Sequence, residues 1–195
     1  AFGAGYNYFS INKDVPREIV IHTPVPEPEQ KTMMNTSNHL MVISLPDSSQ
    51  VQLSPGSTVW YSKPFTGGRR GVSLEGEARF MVKKDKPSPF TVYAGGLATT
   101  ALGTEFTVNT KTISANKVTV KLHSGKVVIT ATGKALEYWA KNIYLEPGQE
   151  MEYNIDNMMV TVGNIKNDEK AKVVKKINTT PSKVEDALVK DLSFV

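Results

Sequence analysis

VSLEGEARFMVKKDKPSPFTVYAGGLATTALGTEFTVN, residues 72–109, decides the fold. Val72 and Leu74 alternate with Ser73 and Glu75, and Ala78, Phe80 and Val82 alternate with Glu77, Arg79 and Lys83. After a break at 84–89, Phe90, Val92 and Ala94 alternate with Thr91 and Tyr93, and Phe106 and Val108 alternate with Glu105 and Thr107. A period of two puts one face in a core and one in water, the mark of half-buried antiparallel strands. Gly76 interrupts a strand pattern where a bulge or a close backbone approach is expected. Pro87 and Pro89 bar a central strand, and Gly95-Gly96 permits backbone angles that other residues resist. The stretch reads as the middle of an all-β interaction module.

Outward from it the same grammar continues. Towards the N-terminus, Val59 and Tyr61 alternate with Thr58 and Trp60, Val51 and Leu53 alternate with Gln50 and Gln52, and residues 40–45 form a nearly continuous apolar run. Pro46-Asp47-Ser48-Ser49 and Ser54-Pro55-Gly56-Ser57 carry turn chemistry between them. Gly67-Gly68-Arg69-Arg70 reads as a flexible basic loop. Towards the C-terminus, Val118, Val120 and Leu122 precede a tight Ser124-Gly125 hairpin and then Val127 and Ile129. Ile143 and Leu145 lead into Glu146-Pro147-Gly148, followed by alternating Met151, Tyr153 and Ile155 and a last strand at 158–162. About a dozen short, mostly antiparallel strands between Leu40 and Val162, with turns roughly every ten residues, fit a sandwich or a β-solenoid-like wrap. Lys83, Lys84 and Pro87 are expected to blunt the sheet edges, giving a monomer.

The ends differ in character. Residues 1–37 read as an extended leader, with Ile19-Val20-Ile21 as one edge strand and a Pro-alternating spacer at 23–29. Residues 38–163 form the β domain. Residues 164–195 read as a polar linker and one short helix over 181–190, with Thr180 as N-cap and Pro181 at the first helical position. Without an initial Met or a termination signal, the chain is expected to be truncated.

Composition narrows the chemistry. Hydrophobic residues make up 39% of 195 residues, so the core is modest and some segments lie outside it. The formal net charge of +4 is mild, and no Arg cluster or RNA-type aromatic motif accompanies it, which argues against nucleic-acid binding. The absence of Cys excludes disulfides, thiolate metal sites and Cys nucleophiles. No apolar run reaches the length of a membrane span. His22, His39 and His123 are scattered, Glu75 and Glu77 belong to a wet strand surface, and Ser73, Ser88 and Ser124 lack a nucleophile elbow. Gly95-Gly96 lacks the rest of a phosphate loop. No catalytic residue, cofactor or metal ligand is assigned, and the chain is read as a non-enzyme.

Six segments carry a resemblance: LPDSSQVQLSPGSTVWY (45–61), VSLEGEARFMV (72–82), PFTVYAGG (89–96), LGTEFTV (102–108), KLHSGKVVI (121–129) and LEPGQEMEY (145–153). In order and spacing they resemble the successive blocks of the FecR-type periplasmic domain, over about residues 38–155. The resemblance implies a transmembrane anti-sigma factor or sigma regulator. Its cytoplasmic segment, not in this chain, holds an extracytoplasmic-function sigma factor; a single inner-membrane helix, also not in this chain, follows. Its periplasmic part senses the N-terminal signalling domain of a TonB-dependent outer-membrane transporter. One departure is Ser48-Ser49, where the family usually has Gly after Asp, which points to a different turn with the pairing unchanged.

Two features mark candidate partner contacts. Tyr138-Trp139, between two expected strands, offers an aromatic pair suited to an interface or to sugar stacking, against the reading in which Trp139 folds back to cap the β core. Arg69 and Arg70, beside Gly67-Gly68, are placed to dock an acidic partner. The competing function is an envelope polysaccharide- or peptidoglycan-binding β domain, which Trp60 and Trp139 exposed in one groove would favour.

Overall fold

The computed structural model describes residues 27–110, 116–137, 139, 141–165 and 175–176. Their strands are β1 (Glu29–Met34), β2 (Met41–Ser44), β3 (Gln50–Leu53), β4 (Thr58–Lys63), β5 (Arg70–Glu75), β6 (Glu77–Met81), β7 (Phe90–Ala94) and β8 (Leu97–Ala101). After these come β9 (Glu105–Asn109), β10 (Lys117–Ser124), β11 (Val127–Ala131), β12 (Ile143–Leu145), β13 (Gln149–Asn154), β14 (Met159–Asn164) and β15 (Lys175–Lys176). One 3₁₀ helix, Gly133–Glu137, joins β11 to β12.

The chain winds between two sheets, ordered β1-β4-β5-β7-β8-β11-β12 and β15-β14-β13-β10-β9-β6-β3-β2. The inner faces of both contribute to one hydrophobic core, so the architecture is a sandwich. Every neighbouring pair is antiparallel except β5 with β7. That parallel pair needs a crossover, and β6 supplies it by passing through the opposite sheet.

The period of two does the sorting. Val72 and Leu74, Ala78 and Phe80, Phe90 and Val92, Phe106 and Val108, and Val118, Val120 and Leu122 are all buried. Phe80 bridges the layers, stacked on Phe106 at 5.3 Å and tilted against Phe90 at 6.0 Å. Burying each such ring contributes up to about 3 kcal/mol.

Gly76 is where the chain changes sheets. Its φ is +102°, and a Cβ there would lie 2.3 Å from Ser57 Oγ and 2.9 Å from Ser57 Cα. Ser57 Oγ accepts from Glu77 N at 2.9 Å, and Thr110 Oγ1 accepts from Gly76 N at 2.8 Å, so the corner's donors are satisfied where the ladder breaks. Gly95 and Gly96, with φ of 55° and 81°, form the tight turn from β7 to β8.

Two expectations change, and one strand is added. β1 lies inside the stretch read as leader and pairs with β4 along its whole length. Residues 82–89, with Lys83, Lys84 and Pro87, form the β6–β7 connection and guard no edge; among the described residues the sheet edges are β1, β12, β2 and β15. Leu97–Ala101, low in hydrophobic contrast, is a full strand. Ile19–Ile21 and the helix at 181–190 lie outside the described residues. No helix among the described residues is long and apolar enough to cross a membrane.

Candidate interaction site

The side chains singled out as partner contacts go to different places. Trp139 is 3% exposed, and its ring packs 6.0 Å from Tyr153, so it belongs to the core. Its indole N–H donates to Lys141 O and its backbone N–H to Ala135 O. This corrects the reading of an exposed partner contact in favour of the alternative in which Trp139 folds back onto the β core, following the 3₁₀ turn. Trp60 lies on the outer face of the seven-stranded sheet, so the two tryptophans share no groove. Tyr138 lies outside the described residues.

Arg69 is exposed, whereas Arg70, 4% exposed, is held inside the fold. Arg70 Nη1 donates to Asp47 Oδ2 at 2.7 Å and Lys83 O at 2.9 Å, Nε to Ser88 O at 2.7 Å, and Nη2 to Asp85 O at 3.3 Å. Its guanidinium sits 5.6 Å above the Phe90 ring. With its donors engaged in this way, Arg70 ties the β2–β3 turn and the β6–β7 connection to β5 instead of facing an acidic partner. Burial alone raises the Asp47 pKa, but hydrogen bonds from Ser49 and Arg70 outweigh it and hold the carboxyl below its ordinary value.

The chemistry weighed for catalysis does not converge among the described residues. Glu75 and Glu77 flank the Gly76 corner and face water on opposite sheets. No three His, Asp or Glu side chains lie together as a metal set. An open depression lined by Ser48, Gln50, Lys83, Thr104 and Glu105 has one carboxylate, and Arg79 already pairs with it.

The edge strand β2 differs from this background. Its register with β3 runs from Met41↔Leu53 to Ser44↔Gln50, and Leu45 N donates to Ser49 O at 2.9 Å. In an antiparallel pair, hydrogen-bonded positions alternate, so Ile43 and Met41 also face β3. The main-chain N–H and C=O of Val42 and Ser44 therefore point away from the sheet. Leu40 and Val42 are each 61% exposed beside them, and no charged side chain guards the strand between Leu40 and Leu45. Such an edge is a template for another strand.

β2 is also anchored at both ends. At its entry, fully buried Asn35 donates through Nδ2 to His39 O and Leu53 O, both at 2.8 Å, and its Oδ1 accepts from Ser37. At its exit, Asp47 accepts from Ser49 N and Oγ and from Arg70, and Ser49 Oγ accepts from Lys83 N at 3.0 Å. Ser48 takes the left-handed φ of 69° between them, which is the conformation Gly favours at this turn. A strand fixed in this way loses little conformational freedom on pairing.

The sheet faces differ too. On the eight-stranded sheet the outward charges pair internally: Arg79 with Glu105 at 2.7 Å, Lys121 with Glu150 at 3.4 Å and Lys117 with Glu152 at 3.5 Å. His123 joins this ladder through Thr107 at 2.9 Å. Burial, then the nearby Arg79 and Lys121 charges, lower its pKa despite Glu105. On the seven-stranded sheet the outward side chains are mostly Thr, Ser, Ala and aromatic residues, with Gln30, Met34 and Val128 beside them, and Glu75 is the one charged side chain among them in the described residues.

The two surfaces differ in how far the sequence shows them. Leu40–Leu45 is apolar except for Ser44, so its pattern does not say which residues face out. Tyr93 and Trp60 were legible as outward by alternation with Val92 and Val59.

Residues 32–134 match the family model for FecR protein. Two crystal structures of a candidate anti-sigma factor from Parabacteroides distasonis ATCC 8503 share the fold, each at 25% identity, with TM-scores of 0.62 and 0.61. The matches cover 70% and 69% of this chain and 60% and 59% of those chains, so this chain spans about 60% of the solved structures it resembles. No curated protein sequence matches it. On the strength of the family match and the shared fold, the chain belongs to the FecR protein family.

Proposed function

We propose that this chain is the sensor module of an anti-sigma regulator. It works in the periplasm as part of a single-pass inner-membrane protein and receives the N-terminal signalling domain of a TonB-dependent outer-membrane transporter. Its occupancy is relayed to an extracytoplasmic-function sigma factor through a cytoplasmic segment outside this chain. Family membership and the likeness to a candidate anti-sigma factor support the regulatory class. The observation that carries the reading is the β2 edge: main-chain groups at Val42 and Ser44 that no described strand pairs, on a strand that is uncharged and anchored at both ends. A receiver needs a rigid docking surface and no reaction centre, and strand addition supplies affinity through main-chain hydrogen bonds. The module acts as a monomer whose open edge is reserved for the partner. Arg69, exposed at the start of β5, is available for a peripheral charge contact, which affects association rate more than affinity.

The test is titration calorimetry of this chain with the signalling domain of the transporter encoded beside its gene. Val42→Pro removes an N–H that points away from β3, so the β2–β3 ladder stays intact while a partner strand loses a bond and meets the ring. Binding by the native chain, weakened by about tenfold or more in Val42→Pro, fits the reading. Equal affinity in a folded Val42→Pro moves the partner off this edge. Absence of binding, with sigma-dependent transcription unchanged when the gene is deleted, sinks the assignment.

A further inference from the structure

The proposed relay makes no use of the seven-stranded sheet's outer face. Thr32, Trp60, Ser73, Tyr93, Ala98 and Thr130 are successive register partners across six strands, forming one straight row. Trp60 and Tyr93 stand on either side of Ser73, two strand spacings apart, about 10 Å. The Tyr93 ring leans across β5: its Cε2 lies 3.6 Å from where a Cβ of Gly71 would be. With Tyr93 44% exposed, the opposite side of that ring faces water. Small residues lie between the rings, and a second row adds hydroxyls, with Thr91 and Thr100 bonded to each other at 3.1 Å and Ser62 accepting from Gln30 at 2.8 Å.

We propose that this face is a platform for a neutral glycan chain. Two aromatic rings at this spacing can stack on the C–H faces of sugars one or two residues apart in an extended chain. Flanking Ser and Thr hydroxyls both donate and accept, as sugar hydroxyls require. Charge selects the class of occupant: among the described residues Glu75 is the one charged side chain on the face, and it repels an acidic polymer. The other sheet carries Arg79, Lys117 and Lys121, each already paired with a carboxylate. A protein partner is less suited, because the face, among the described residues, lacks the contiguous aliphatic centre and the Arg typical of interface cores. Its outward aliphatic side chains are Met34 at the rim and Val128, which is buried.

The experiment is affinity electrophoresis of the full chain in native gels containing galactomannan, mixed-linkage β-glucan or dextran, with titration calorimetry on any polymer that retards it. Retardation by at least one polymer is expected, insensitive to salt and weakened about tenfold or more in Tyr93→Ala and in Trp60→Ala. Because both side chains face outward, matched unfolding midpoints verify that each variant is folded; Tyr93→Phe, which keeps the ring, should retain binding. Val42→Pro should leave glycan binding untouched, which separates this result from failure of the strand-docking reading. Retardation by none of the three polymers overturns the proposal, as does retardation that survives both alanine substitutions. Loss of signalling-domain binding in Tyr93→Ala, without any glycan binding, assigns the face to a protein instead.

Discussion

Replacing Arg70 by Met keeps most of the aliphatic stem against Phe90 and removes the guanidinium. Asp47, 13% exposed in its side chain, then loses its ion-pair partner, and the carbonyls of Lys83, Asp85 and Ser88 lose their donors. Breaking a buried pair from one side costs about 3–5 kcal/mol, because the remaining charge stays desolvated. Two features favour the lower half of that range. Asp47 keeps its bonds from Ser49 N and Oγ at 3.0 and 2.6 Å, and the connection holding the three carbonyls can be rehydrated in part. The expected loss is about 3 kcal/mol, a fall in melting temperature of roughly 10 °C for a domain of this size. Thermal denaturation followed by circular dichroism measures it, with Arg69→Met, at an exposed neighbour, as the control. Because Asp47 and Ser49 also anchor the exit of β2, the variant should weaken strand docking beyond its stability loss. If Arg70→Met melts within about 3 °C of Arg69→Met, the guanidinium is not holding these segments together and the account of a pre-organised β2 edge fails.

Gly76→Ala should cost about 3 kcal/mol or more in urea unfolding, since a φ of +102° is added to a contact of 2.9 Å with the Ser57 main chain; a near-native midpoint would mean the corner can relax. Ser48→Gly should stabilise by about 0.5 kcal/mol, relief of a left-handed φ exceeding the extra freedom of the unfolded chain; destabilisation would place the Ser48 side chain in an unrecognised contact. Trp139→Ala should cost about 3–5 kcal/mol of stability, and an unchanged unfolding midpoint would refute its place in the core. Acid should weaken the fold in two stages. Both His123 and Asp47 bind protons at lower pH when folded than when unfolded, so their contributions are complete above the unfolded pKa and are lost as pH falls through the folded one. The first stage begins below about pH 6.5 and the second below about pH 4. Asp47→Asn should flatten the second stage alone, and an unaltered profile below pH 4 would remove Asp47 from the account.

Alternation made the strands legible wherever polar and apolar residues contrast, as in β5, β6, β7, β9 and β10. It failed at Glu29–Met34, where a mainly polar strand is recruited by pairing with β4, and at Leu97–Ala101, where Ala and Thr give little contrast. The fate of Arg70 was readable in principle: it shares the parity of Val72 and Leu74, so a strand beginning one residue earlier than the loop composition implied turns it inward. Trp139 follows a 3₁₀ turn outside any periodic strand, and no local pattern states which way such a side chain points. The β2 edge was hidden for a different reason. Whether a strand is central or marginal depends on which others pair with it, and that is a property of the two sheets together.

The two proposed surfaces belong to different sheets, and this limits how the module can signal. Strand addition at β2 extends the eight-stranded sheet along its hydrogen-bonding direction, while a glycan on the Trp60–Tyr93 row lies against the outside of the other layer. Between them is a core in which Phe80, Phe90 and Phe106 are fully buried, with the Phe80 ring in contact with the other two. Close-packed interiors of this kind transmit change between discrete alternative packings and do not deform gradually. Nothing in the Gly76 corner or the Arg70 network offers a second arrangement, since each donor is already satisfied and a shift would leave buried groups unpaired. A docked partner then acts by where it holds the module and by mass action on the module's stability, contributing about 2.7 kcal/mol at a hundred times its dissociation constant. Information in such a system passes through position and tethering, which is why the fold can be rigid and still serve a relay.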